Sequence, residues 1–102
     1  MRQVMVRYRV KPDHVAENVQ LVCAVYDELR RDRPDGFRYA TFQLEDEVSF
    51  VHVAFEETED GSNPLTRLPA FRRFQKDIAE RCDELPVVSE LRQVGSYRLG
   101  AG

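Results

Sequence analysis

The segment Val48-Ser49-Phe50-Val51-His52-Val53-Ala54-Phe55 constrains this chain more than any other. Its β-branched and aromatic content reads as a strand that is apolar on both sides. Phe50, His52 and Ala54 share one face, and Val51, Val53 and Phe55 share the other. Such a strand belongs in the middle of a sheet whose two faces are both covered. The rest of the chain must supply a neighbour along each edge and cover for each face.

Residues 4–10 alternate with period two, placing Val4, Val6, Tyr8 and Val10 opposite Met5, Arg7 and Arg9, which predicts a first strand. Lys11-Pro12-Asp13 stops it, with Asp13 as the expected N-cap of a helix. Val15, Val19, Val22, Tyr26 and Leu29 then form the apolar stripe of a helix of about five turns, which Arg33-Pro34-Asp35-Gly36 closes. A second strand runs from Phe37 to Leu44 and joins the third through the acidic turn Glu45-Asp46-Glu47. Asn63-Pro64 opens the next helical region. Its stripe is Leu68, Phe71, Phe74, Ile78, Cys82 and Leu85, with Asp77 and Arg81 spaced for an ion pair. Pro86 is expected to end that helix, and Val87 to Leu99 to form the last strand.

The order β-α-β-β-α-β is a split βαβ unit of the ferredoxin-like type. Right-handed crossovers place both helices on one face of a four-stranded antiparallel sheet, with the first and third strands central. The fold class is α+β, and 102 residues make one domain. Two helices cover only one face of the sheet. An uncovered apolar face marks an interface, so a homodimer with two sheets packed face to face is expected.

Charge and cysteine usage narrow the function classes. The net charge is −3, and the longest basic cluster, Arg30-Arg31-Asp32-Arg33, falls at a helix end where cations complement the dipole. No nucleic-acid partner is expected. No apolar run approaches the ~20 residues that span a bilayer, so no membrane partner is expected, and the chain reads as cytoplasmic. Cys23 and Cys82 lack metal-ligand spacing and read as buried, inert thiols, a disulfide being the lesser alternative. Glu56, Glu57, Glu59 and Asp60 lack the ligand order of an EF-hand and read as a solvated acidic turn, with no metal. No phosphate loop, GxSxG, HExxH or CxxC occurs.

From Val4-Met5-Val6-Arg7-Tyr8 to Gly95-Ser96-Tyr97-Arg98-Leu99, through Asn63-Pro64-Leu65 and Phe71-Arg72-Arg73-Phe74, the chain resembles the dimeric α+β barrel superfamily. Within it, the resemblance is to antibiotic-biosynthesis-monooxygenase-like domains. It implies a dimeric α/β barrel and, as one activity among several that the fold hosts, oxygenation of an aromatic, quinol or polyketide-like molecule without a cofactor. The chain lacks the family's pocket Trp. It also lacks the Trp and the helix-borne His of the haem-degrading branch, since Phe71 to Cys82 contains no His.

His14 opens the first helix, where a surface or capping role suffices. His52, in mid-strand, is the candidate catalytic residue. One reading makes it a core histidine whose ring nitrogens are satisfied by neighbours. The other makes it a general base in an apolar pocket, with a pKa near neutrality. Deprotonation of a phenol or quinol then yields an anion that passes an electron to O₂, while an Arg or Tyr steadies the oxyanion. If His52 faces the helices, Tyr8 and Phe71 are its neighbours. If it faces away from them, Arg7 and Arg9 are. Tyr8, Tyr39, Phe71 and Arg7 are therefore the candidate substrate-binding residues. The rivals to an enzyme are a module that binds a small apolar or aromatic ligand without catalysis, and a structural dimer with a filled core.

Overall fold

A computed structural model describes residues 2–57 and 63–99. Strand β1 (Arg2–Val10) leads into helix α1 (Val15–Asp32), then β2 (Phe37–Gln43) and β3 (Ser49–Glu56). A 3-10 turn (Pro64–Arg67), α2 (Pro69–Gln75), α3 (Ile78–Arg81) and β4 (Cys82–Glu90) follow. The sheet is antiparallel in the order β2-β3-β1-β4, so β1 and β3 are central. The fold is the expected α+β, ferredoxin-like one, with the helices on one face of the sheet.

Alternation along β3 is strict. Phe50, His52, Ala54 and Glu56 are buried, whereas Val51, Val53 and Phe55 are half-buried on the open face. Between β2 and β3, Asp46 builds the turn. Its Oδ1 accepts from the Val48 and Ser49 amides (3.0 and 2.8 Å), and its Oδ2 accepts from the Ser49 hydroxyl (2.6 Å). These bonds hold the Asp46 carboxyl below its ordinary pKa.

Several local expectations are corrected. Pro12–His14 forms a short 3-10 turn, so α1 starts one residue later and His14, not Asp13, occupies its N-cap position. The buried line of α1 is Asn18, Val22 and Val25, while Val19 is exposed. The helix is rotated because Asn18 donates to the Tyr8 hydroxyl at 2.9 Å, which draws that edge inward. Cys23 consequently faces solvent, and only Cys82 is a buried thiol.

The larger correction concerns the second helical region, which does not reach Leu85. Helix α2 ends at Gln75, and Asp77 adopts the left-handed region at φ 60°, which breaks the helix. After α3 the chain is already in β4 at Cys82. Pro86 therefore lies inside a strand. The position tolerates it because β4 is an edge strand and its register against β1 shifts there, from Arg7↔Val87 to Arg9↔Glu84. Residues 91–99 are not a strand, and Val94 and Tyr97 lie almost fully exposed.

Two polar ties hold the broken helical layer. The Glu28 carboxylate on α1 accepts the Ala70 amide at 2.9 Å, capping the first turn of α2 from a neighbouring helix. Arg81 is 3% exposed and does not bridge to Asp77. It donates instead to the carbonyls of Phe74 (2.6 Å) and Lys76 (2.9 Å), and its guanidinium lies over the Phe74 ring at 5.5 Å. Lysine cannot reproduce that fork, so Arg81→Lys should cost about 2 kcal/mol of stability. Urea unfolding measures it, and a loss under about 0.5 kcal/mol would mean the two carbonyls are satisfied without the guanidinium.

Candidate functional site

The register of the central strands assembles the site. Val6 stands opposite His52, Tyr8 opposite Phe50, and Thr41 opposite His52 from the other side. His52 therefore faces the helices. The Tyr8 ring stacks on Phe50 (5.6 Å) and on His52 (5.3 Å), and Phe74 from α2 closes over His52 at 5.4 Å.

His52 is 5% exposed, and both of its ring nitrogens are engaged. Nε2 meets the Tyr8 hydroxyl at 2.8 Å. Nδ1 meets the Tyr39 hydroxyl at 2.5 Å and the Thr41 hydroxyl at 3.0 Å. Asn18 Nδ2 donates to Tyr8 at one end of this chain, and Tyr26 bonds Thr41 (2.7 Å) at the other. The imidazole tautomer sets the direction of the bonds. If Nε2 accepts from Tyr8, the Nδ1 hydrogen goes to Tyr39 or Thr41, and the Tyr39 hydrogen has Thr41 as a neighbouring acceptor. If Nδ1 accepts from Tyr39, Tyr8 takes hydrogen bonds from His52 and Asn18, and its hydrogen is the spare one. Either way, Tyr8, His52 and Tyr39 hold one more polar hydrogen than the links between them use.

Burial sets the protonation states. Desolvation pushes the His52 pKa down from 6.5 to about 4. It raises the Tyr8 and Tyr39 hydroxyls far above the phenol range. At neutral pH the chain is uncharged, and both phenols are hydrogen donors. Of the two readings of His52, the hydrogen-bonded core histidine fits this environment better than a base of near-neutral pKa, because among the described residues no carboxylate lies against the ring to offset the cost of burying an imidazolium.

Beside this chain lies a cavity of about 440 Å³ between sheet and helices. Tyr8, His52, Tyr39 and Phe71 line it together, with Leu65 and Phe74 among its apolar walls. The size suits a small organic ligand. Arg7 is not among these residues. Its place in β1 puts it on the open face, opposite Val51 and Val87, where it is exposed. His14 is remote from the cavity and bonds Glu17 at 3.0 Å.

Sequence reasoning missed Asn18 and Thr41, polar residues within apolar patterns that count against a stripe when read alone, and took Tyr26 only as a member of the apolar stripe of α1. It also misplaced Glu56, which is the last residue of β3, 4% exposed and on the cavity wall. Glu57 is solvated and pairs with Arg38 (3.1 Å), while Glu59 and Asp60 lie outside the described residues. Among the described residues no cluster of metal-ligating side chains occurs, and no helix is long and apolar enough to cross a membrane.

No protein-family model and no curated protein matches the sequence. Solved structures do share the fold. Rv0793 from Mycobacterium tuberculosis aligns with a TM-score of 0.73 at 18% identity, over 93% of this chain and 96% of that one. A structure described as an antibiotic biosynthesis monooxygenase aligns with a TM-score of 0.73 at 16% identity, over 93% and 100%. A variant of SnoaB, a cofactor-independent oxygenase from Streptomyces nogalater, aligns with a TM-score of 0.69 at 15% identity, over 96% and 97%. The chain thus has the fold of antibiotic-biosynthesis-monooxygenase-like structures.

The buried imidazole gives the fold a pH dependence of known sign. Between pH 6.5 and about 4 the unfolded chain binds the His52 proton and the folded chain does not. The contribution is complete above pH 6.5, declines as pH falls, and is lost once pH passes below the folded value. It amounts to about 3 kcal/mol. Urea unfolding at pH 7 and pH 4 should show wild type losing more stability than His52→Asn by about that amount. Parallel losses would mean the ring protonates in place at no cost.

Proposed function

We propose that the cavity binds a phenol- or quinol-type aromatic molecule and promotes its oxygenation without a cofactor. The observation that carries this reading is the Tyr8-His52-Tyr39 chain, which holds one more polar hydrogen than the links among the three use, beside an apolar cavity. Phe71, Phe74 and Leu65 hold the aromatic body, and the free tyrosyl hydrogen donates to its oxygen. A donor in a dry pocket favours the ligand anion over its neutral form. The ligand proton leaves to solvent, and the electron-rich anion passes an electron to O₂ held beside it. In this reading His52 orients the two phenols and exchanges the donor role between them by changing tautomer. Its low basicity suits that task better than it suits general-base catalysis. The likeness in fold to a cofactor-independent oxygenase supports the reaction class.

Full engagement of His52 also favours a second reading, in which the same cavity binds such a molecule without turning it over. Oxygen uptake with a panel of naphthoquinols separates the two. Wild type should consume O₂, and Tyr39→Phe and His52→Ala should each slow uptake roughly a hundredfold. Binding of the quinols without any uptake by wild type would leave the non-catalytic reading.

The functional unit is a homodimer through the open sheet face. Met5, Val51, Val53 and Phe55 are half-buried there and Phe42 is 57% exposed, a contiguous apolar surface on the side away from the helices. Sedimentation should give the mass of two chains, and Val53→Asp, at the centre of that face, should give one. A wild-type monomer at micromolar concentration would remove the dimer.

A further inference from the structure

Asn18 is the most deeply buried polar residue among those described, and the proposed reaction gives it no part. Its Nδ2 donates to the Tyr8 hydroxyl at 2.9 Å, while its Oδ1 meets no hydrogen-bond partner among the described residues. The reverse seating, with the amide oxygen on Tyr8, would leave the nitrogen bare instead. Buried N–H groups without an acceptor are the rarer defect.

The seating of this amide sets the sense of the bonds beyond it. Tyr8 is 2% exposed, so no water is at hand to take its hydrogen. With Asn18 donating to the Tyr8 oxygen, the hydroxyl hydrogen goes to His52 Nε2 at 2.8 Å. The opposite sense would bring hydrogens from both Asn18 and His52 onto that oxygen and bury the tyrosyl hydrogen with no acceptor, which is costly. An accepting Nε2 puts the imidazole proton on Nδ1, where the oxygens of Tyr39 (2.5 Å) and Thr41 (3.0 Å) stand ready. Thr41 is a neighbouring acceptor for the Tyr39 hydrogen, and Tyr26 lies 2.7 Å from Thr41. Each group from Asn18 to Thr41 can then donate to the next. Tyr39 is half-buried and lines the cavity, so its hydrogen can turn from Thr41 to a ligand. That of Tyr8 is spent on His52.

We propose that Asn18 is a positioning residue, which holds the His52 proton on Nδ1 through Tyr8 and so makes Tyr39 the donor to the ligand oxygen. In the resting protein it biases the exchange between the two tyrosines toward Tyr39. The assignment of the ligand's donor rests on the reading of the cavity as an aromatic-phenol site, whereas the tautomer is a property of the protein alone.

Long-range ¹H–¹⁵N correlation spectra read the tautomer directly, because a protonated and a bare ring nitrogen differ widely in ¹⁵N shift. His14→Gln leaves His52 as the one imidazole of the chain. In that background at pH 7 the proton should lie on Nδ1 in at least about tenfold excess. Asn18→Asp at pH 8, accepting from Tyr8, should move the proton to Nε2. Asn18→Leu, which neither donates nor accepts, should lower the excess severalfold and serves if the aspartate variant folds poorly. In a fluorescence titration Tyr39→Phe should bind β-naphthol about tenfold more weakly than wild type. A proton on Nε2 without an Asn18 substitution overturns the assigned sense, and an unchanged tautomer in the Asn18 variants overturns the role of Asn18. Equal binding by wild type and Tyr39→Phe overturns Tyr39 as the donor. The expected tautomers with no β-naphthol binding by wild type uphold the role of Asn18 and overturn the aromatic-phenol reading.

Discussion

The hydrogen-bond chain from Asn18 through Tyr8 and His52 to Tyr39 is the constraint around which this molecule is arranged. It joins α1, β1, β3 and β2, so each element must lie in one register for the chain to close. Asn18 is fully buried and Tyr8 and His52 nearly so. Groups buried that deeply lose their hydrogen bonds to water, and each missing partner would cost on the order of 1–3 kcal/mol. The rotation of α1 follows from this. Asn18 takes the innermost position and Val19 is turned out to solvent, against the simple apolar stripe.

The same burial decides the chemistry. An imidazole among aromatic rings, with hydroxyls rather than carboxylates as partners, remains neutral through the physiological range. The two phenols keep their protons for the same reason. The result is a polar group of donors at the edge of an apolar cavity, with no formal charge. The break at Asp77 completes the architecture. By ending α2 early it leaves the helical layer short, and Arg81 knits the broken ends by binding the carbonyls that the break exposes.

Much of the fold was legible because side-chain periodicity reports directly on which face of an element meets the core. The alternation in residues 4–10 and the run from Val48 to Phe55, apolar on both faces, named the two central strands, and element order with crossover handedness placed the helices. The region after Ile78 was not legible. Cys82 and Leu85 continue the helical spacing of Phe71, Phe74 and Ile78, and Pro86 looks like a terminator. Edge-strand pairing with β1 overrides that local pattern, and a register shift absorbs the proline. Of the cavity residues, Tyr8, Tyr39, His52 and Phe71 could be named from the chain alone. Glu56 could not, because an acid beside Glu57, Glu59 and Asp60 reads as part of a solvated run, although the strand's own period puts it on the inner face.

The sequence by itself determined the topology, the two central strands, the apolar open face and the rarity of histidine, since these follow from the order and spacing of residue types along one chain. Only the tertiary structure decided that His52 faces the helices, that Arg7 does not share its cavity, and that Glu56 is buried at the end of β3. Each of these depends on groups distant in sequence that compete for burial and hydrogen bonds at one place. That competition is resolved only when α1, β1, β2 and β3 pack together.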